Sequence, residues 1–278
     1  MYPRFVQLFR PYGFPCLLSI VPTALSTPAY NGQRPSPWPN GVRVLDWDSR
    51  LFGFGVAEIT LSATQPDQLA DLVAVLRAQD VKLVYCFVPS KGDTIAERTV
   101  RRFGGYLVDR KTTFRTRLRP SNLTSDSQIK VEPFGLHMPS NDLVALAIQS
   151  GEYSRFFIDP AVPRERFEEL YTIWIERSVT KQLADEVLVI RHQNRIAGMV
   201  TVRANDEVGE IGLIAVDSAY RGKGYGTTLI REAHLWLAVQ GCTSCRVVTQ
   251  GANIPACRLY TKAGYTVENS ESVFHLWL

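Results

Sequence analysis

Residues Val208 to Gly226 read VGEIGLIAVDSAYRGKGYG, a passage from strand through glycine-rich turn into helix. From Ile211 to Val216 the residues are apolar or glycine on both faces, as in a central strand covered on both sides. Thr227 to Gln240 carries helical spacing, and Gly241 stands where a helix stops. In the intervening Arg221-Gly222-Lys223-Gly224-Tyr225-Gly226, three small residues let the backbone come close to a ligand. The open N–H groups of such a turn, with the helix dipole behind them, form an anion site suited to a pyrophosphate. Glycine-rich turns serve nucleotides and dinucleotides as well. A nucleotide-kinase loop ends Gly-Lys-Ser/Thr, whereas Lys223 is followed by Gly224. A dinucleotide fingerprint needs an acidic residue roughly 20 positions on, and Glu232 falls too near.

The 278 residues suffice for one large domain or two modest ones with ample core. A hydrophobic content of 45% and a charged content of 21% are ordinary for a globular protein. The net charge of +4 is mild, and Lys and Arg are scattered rather than striped, so nucleic acid is not an expected partner. Five cysteines are an odd count for a disulfide framework. Cys242 and Cys245 form a lone C-x-x-C, with no second pair and with dispersed histidines. No metal is expected, and Cys245 reads as the buried start of a strand.

Outward from the opening stretch, the chain divides into three parts. Residues 1–40 form a Pro-rich extension. Arg4 and Arg10 precede an apolar run, Phe14 to Leu25, that superficially looks like a secretory leader, but Pro15 and Pro22 interrupt it. It lacks a clear small-x-small cleavage site and is too short to span a bilayer. Residues 41–128 form an α/β block. Strand-like runs flank Asp46 to Gly55, helical spacing covers Pro66 to Gln79, and a strand follows at Lys82 to Val88. A helix over Asp93 to Arg102 and a strand at Lys111 to Leu118 complete the block, and Pro120 to Gln128 reads as a linker. Residues 129–278 hold a helix capped by Ser140 and a loop at Gly151 to Phe156. An amphipathic helix then covers Arg164 to Val179, followed by a meander turning at Gln193-Asn194. After the opening stretch come a strand at Cys245 to Gln250, a helix capped by Asn253 and ending at Lys262, and a closing hairpin. Lys82 to Leu118 repeats the plan of Cys245 to Leu278, so the first block reads as a degenerate half-copy of the second. It lacks any Gly-x-Gly loop.

With Arg221, Gly224 and Gly226 filling an Arg/Gln-x-x-Gly-x-Gly/Ala pattern, the strand–loop–helix resembles the acetyl-CoA site of the GNAT N-acetyltransferase superfamily. The fold this implies is a mixed α/β sheet of the acyl-CoA N-acyltransferase type. Acetyl-CoA is then the cosubstrate, and no metal is required. The resemblance assigns Ile214, Ala215 and Val216 to the pantetheine arm. The pyrophosphate falls to Arg221, Gly222, Lys223, Gly224, Tyr225, Gly226 and Thr227, with Asn253 on the far side of the cofactor. Asn253, Ala256, Leu259 and Tyr260 match the setting of a GNAT tyrosine that protonates the departing thiolate. Glu210, at the opening of the strand, matches a glutamate that serves as general base in GNAT histone acetyltransferases. A water chain is the alternative base.

Four stretches resemble the branch that acetylates dTDP-4-amino-4,6-dideoxygalactose (dTDP-fucosamine) in surface-polysaccharide synthesis. They are WDSRLFG at Trp47 to Gly53, GEYSRFFIDP at Gly151 to Pro160, LYTIWIERS at Leu170 to Ser178, and TQGANIPACRLYTKAGY at Thr249 to Tyr265. This implies a small nucleotide-sugar substrate and a homodimer. Such a substrate needs aromatic and Arg groups facing the acyl end, which Tyr153 and Arg155 could provide. Acetyl-CoA is a cytoplasmic metabolite, which sets the expected location in the cytoplasm, with no membrane insertion. Two other readings stay open: acetylation of a protein, peptide or other small amine, and a CoA-binding protein without turnover.

Overall fold

Strand, helix and glycine stop occur in two successive runs, and the computed structural model shows how they combine. It describes residues 41–61, 69–89, 94–118, 129–135 and 137–278. The first run contains β1 (Val42–Val44), α1 (Asp46–Phe52), β2 (Gly55–Thr60) and α2 (Leu69–Ala78). It continues with β3 (Val81–Pro89), α3 (Thr94–Arg102) and β4 (Tyr106–Arg117). The second begins with β5 (Val131–Pro133), α4 (Asn141–Ser150), α5 (Arg155–Ile158) and α6 (Arg164–Val179). Next come β6 (Glu186–His192), β7 (Arg195–Asn205), β8 (Val208–Val216), a 3₁₀ turn (Ser218–Tyr220) and α7 (Tyr225–Val239). The chain closes with β9 (Ser244–Gln250), α8 (Ile254–Lys262) and β10 (Thr266–Trp277).

Local chemistry sets these boundaries. Ser140 Oγ accepts from the Leu143 N–H at 3.4 Å and Asn253 Oδ1 from the Ala256 N–H at 3.2 Å, capping α4 and α8. Gln193 and Asn194 take φ of 49° and 66°, the two-residue turn that matches the twist of a hairpin. Strands β1 and β2 flank Asp46 to Gly55 as expected, and the stretch between them is helical over Asp46 to Phe52, closed where the Gly53 N–H bonds to Ser49 O at 2.9 Å. One expectation is corrected. The end of the chain is one twelve-residue strand rather than a hairpin, because both of its edges find partners elsewhere in the sheet. The Pro-rich extension and the linker at Pro120 to Gln128 lie outside the described residues.

The ten strands form one mixed sheet in the order β1-β2-β3-β10-β4-β9-β8-β7-β6-β5. In the first half β1 runs antiparallel to β2, and β2 parallel to β3. In the second, β7 runs antiparallel to β8 and β8 parallel to β9. The two halves thus share one pattern of strand pairing, with one difference. The last strand of each half crosses over: β10 lies against β3, and β4 lies against β9. One face of the sheet carries α1, α4, α5 and α6 over a core containing Tyr85, Phe156, Phe167, Ile175 and Val273. The other face is buried by α7 and α8 in the second half and by α2 and α3 in the first.

Candidate active site

The site is built where β8 and β9 part. Their parallel register runs from Val208↔Ser244 to Ile211↔Val247 and stops there. Just beyond, β8 carries an extra residue against β7: Val200 faces Ile214, while Val202 faces Ile211. The bulge is held by Thr201, whose Oγ1 accepts the Leu213 N–H at 2.8 Å. A Cβ on Gly212 would sit 2.8 Å from that oxygen, so only glycine fits. From Gly212 onward the β9-facing edge of β8 is left open, and an extended amide chain could hydrogen-bond along it.

Two adjoining cavities occupy the gap. The outer, of about 570 Å³, runs along Ile214, Ala215 and Val216, past Arg221, Gly222, Gly224, Tyr225, Gly226 and Thr227, with Asn253, Arg258 and Lys262 opposite. The inner, of about 110 Å³, reaches through the sheet to Asp109, Lys111, Arg155, Tyr171 and Trp174, with Tyr260 on its wall. Ser150, Ile214, Asn253 and Ala256 border both.

The outer cavity ends on the N-terminus of α7. Gly224 stands at the cap with φ of 83°, and the Thr228 N–H already bonds to its carbonyl at 3.0 Å. The N–H groups of Tyr225, Gly226 and Thr227 are those an α-helix leaves without an internal partner. Arg221 Nε donates to Val216 O at 3.1 Å, tying the loop to the strand end. A tightly curled backbone at a helix N-terminus, flanked by Arg221, Arg258 and Lys262, fits a diphosphate.

Of the cofactor residues expected from the sequence, all but Lys223 lie on the outer wall. Lys223 instead donates to Ala219 O at 3.3 Å and lies 5.1 Å from the Tyr220 ring centroid. Tyr153 is half-exposed beside the outer cavity. Arg155 is not a loop residue but opens α5, buried, with its guanidinium 4.2 Å from the Tyr85 ring centroid and facing the inner cavity. Tyr260 is buried against Phe114 and Tyr265, each ring centroid 5.7 Å away, and burial holds its phenol well above the usual range. Tyr265 is a core aromatic, as expected, with its hydroxyl bonded to Cys245 Sγ at 3.1 Å.

Glu210 is the residue the structure does not bring to Tyr260. It sits on the closed stretch of β8, two residues before Gly212, and lines neither cavity. Its strand neighbours are Arg203 on one side and Arg246 on the other. Burial raises its pKa against the opposing pull of those two arginines. The alternating charges across adjacent strands read as a cross-strand ladder.

Three groups that sequence reasoning did not select also meet at the inner cavity: Asp109, Lys111 and Tyr171. Burial carries Asp109 up to about 7 against the nearby Arg155 and Lys111 charges, and Tyr171 up to about 12. Asp48, of the Trp47 to Gly53 stretch, lies behind Arg155. It accepts the Tyr85 hydroxyl proton at 3.0 Å, and burial raises it to about 6.

Parted strands, a bulge and an open helix N-terminus together describe an acyl-CoA-type fold. Residues 149–265 match the model of the Acetyltransferase (GNAT) family. The match is to a GNAT acetyltransferase domain within the second half, from the end of α4 to the residue before β10. It is 27% identical over 132 residues to the spore coat polysaccharide biosynthesis protein SpsD of Bacillus subtilis (strain 168), across 48% of this chain and 45% of that one. It is 37% identical over 62 residues to the streptothricin acetyltransferase of Escherichia coli, across 22% of this chain and 36% of that protein. A mycothiol acetyltransferase of Corynebacterium glutamicum is 31% identical over 90 residues, across 32% of this chain and 31% of its own length. The chain therefore matches less than half the length of each of these relatives. Among solved structures, a functionally unknown Staphylococcus epidermidis protein superposes with a TM-score of 0.60 at 13% identity, covering 83% of this chain and 88% of that one. A GCN5-related N-acetyltransferase from Sphaerobacter thermophilus gives 0.57 at 18% identity, covering 84% and 75%. These structural likenesses concern the fold. Among the described residues no helix is long and apolar enough to cross a membrane.

Proposed function

We propose that this protein is an N-acetyltransferase that moves acetyl from acetyl-CoA to the 4-amino group of a nucleotide-linked dideoxysugar of the dTDP-fucosamine type. The observation that carries the reading is the pair of cavities meeting where β8 and β9 part, with an anion-binding helix end at one extreme and Tyr260 with a buried polar pocket at the other. Acetyl-CoA supplies the acetyl group as an activated thioester. The open edge of Gly212 to Val216 aligns its amide-bearing arm, and the α7 N-terminus with Arg221 holds its diphosphate. Backbone N–H groups near Val216 face the thioester carbonyl as its oxygen gains charge. Tyr260 keeps its proton at neutral pH and delivers it to sulfur. Because a buried phenol is a weaker acid than a thiol, this transfer requires the phenolate to regain a proton at once from the newly bonded nitrogen.

The likeness to a spore coat polysaccharide biosynthesis protein supports a sugar-derived acceptor, and the polar side chains of the inner cavity offer partners for its amine. The same reading carries a cytoplasmic setting, where acetyl-CoA is available, and the homodimer that the family resemblance implies. Thiol release from acetyl-CoA in the presence of dTDP-4-amino-4,6-dideoxygalactose tests it. Sugar-dependent release is the expected result. Tight CoA binding without release for any amino sugar would mark a binding protein instead.

A further inference from the structure

An acceptor amine is an ammonium ion at neutral pH and cannot attack a carbonyl until it sheds a proton. Within the second half alone the inner cavity is lined by residues such as Arg155, Tyr171, Trp174 and Tyr260, and by no carboxylate or imidazole. The carboxylate on its wall comes from the first half, through β4, the strand that crosses over to lie against β9. The register of β4 against β10 steps from Val273↔Asp109 to Phe274↔Leu107, so β4 has one residue too many at this point. The extra residue leaves Val108 in the core with Phe87 and Val273, and turns Asp109 to the cavity wall. A bulge beside a ligand site commonly re-aims a side chain in this way. Asp109 Oδ1 is buried without a hydrogen-bond partner among the described residues.

We propose that Asp109 is the catalytic base that receives the acceptor's ammonium proton, an inference that rests on the acetyltransferase reading above. The proton passes from the ammonium nitrogen to the Asp109 carboxylate. The freed lone pair forms the C–N bond as the C–S bond breaks. Tyr260 protonates the departing sulfur, and the second nitrogen proton returns to Tyr260. One proton is left on Asp109 and goes to solvent, which balances the reaction. The groups facing Asp109 are Arg155 of α5, Tyr171 of α6 and Lys111 of its own strand, the last also paired with Glu271 of β10 at 3.0 Å. Burial outweighs the two cations, so the carboxylate titrates near the working pH, as a base should. Before an amine arrives Asp109 is partly protonated, and an incoming ammonium stabilises its charged form.

The test has two arms. In the first, ¹³C NMR of aspartate carboxyls in the full chain, assigned by difference against Asp109→Asn, follows the titration of Asp109. A midpoint near 7 is expected. In the second, thiol release is measured against pH for parent, Asp109→Asn and Asp109→Glu, with dTDP-4-amino-4,6-dideoxygalactose, glucosamine and streptothricin as acceptors. Asp109→Asn should lose roughly 10²-fold or more in kcat/KM at neutral pH and recover as rising pH deprotonates the amine in solution. CoA affinity should hold, and Asp109→Glu should keep the parent's pH limb. A midpoint near 4, or an Asp109→Asn profile matching the parent's, overturns the assignment and leaves the acetyltransferase reading standing. No thiol release by the parent with any of the three amines overturns that reading, and the assignment with it.

Discussion

Tyr260 and Asp48 show the same burial acting on two kinds of acid. Tyr260 lies among Phe114, Tyr265 and the apolar face of α8, where a phenolate would be costly. It is therefore a fully loaded proton donor at any working pH. Replacing Tyr260 by Phe should lower kcat by roughly 10²-fold while leaving CoA affinity, read by calorimetry, within a few-fold of the parent's. Equal turnover by variant and parent would remove Tyr260 from the chemistry. Asp48 does the opposite kind of work. Its folded pKa of about 6 stands above the ordinary carboxylate value, so the neutral form is the one the fold prefers. Its stabilising contribution is complete below the unfolded-state value near 4 and is lost as pH rises through 6, on the order of 3 kcal/mol in all. Asp48→Asn keeps an acceptor for the Tyr85 hydroxyl but has no proton to lose. Thermal melts from pH 5 to 8 should therefore fall more steeply for the parent than for Asp48→Asn. Parallel curves would show that Asp48 is charged and paired throughout.

The loop-to-helix element was legible in the sequence because its causes are local. Gly224 is needed at a left-handed cap, Asn253 is needed at an N-cap, and the apolar run of β8 announces a buried strand. The same locality makes the element testable. An alanine at Gly224 must adopt φ of 83°, at a cost of about 1–2 kcal/mol, or pull the cap out of shape. The expected result is a KM for acetyl-CoA raised roughly tenfold, with kcat much less affected and a modest loss of Tm. A kcat defect at unchanged KM would mean that the loop acts on the chemistry rather than on the diphosphate. The inner cavity was not legible in the same way. Glu210 matches a family position, yet it falls on the closed side of the split, and only the register between β8 and β9 reveals where the strands part. Asp109 in LVDRKT looks like an ordinary strand charge. Its position depends on a bulge set by pairing with a strand more than 150 residues away, and no local signal in the sequence carries that.

In the whole molecule the two halves are tied by the strands they exchange. β10, a strand of the second half, pairs with β3 from Glu271 to Trp277 and with β4 from Thr266 to His275, so it lies between two strands of the first half. The tie is reinforced at Asp159, after α5, whose carboxylate accepts from Tyr106 of β4, from His275 and Trp277 of β10, and from the Ala161 N–H at 2.8 Å. Burial alone would raise Asp159; these donors outweigh it and bring it down to about 2. A chain wired in this way should not come apart at the boundary near residue 129. Without residues 41–128, β9 loses β4 and β10 loses both neighbours, exposing two long edges and the apolar side chains of Val273, Phe274 and Leu276. The prediction is one cooperative urea transition for the full chain, coincident by far-UV circular dichroism and tryptophan fluorescence. Trp47 reports on the first half and Trp174 and Trp236 on the second. A fragment of residues 129–278 should be insoluble or lack native near-UV signal. Two separated transitions, or a soluble fragment that binds CoA as tightly as the full chain, would show that the exchanged strands are dispensable. The first half would then be an appendage, and it would have no means of presenting Asp109 to the acceptor.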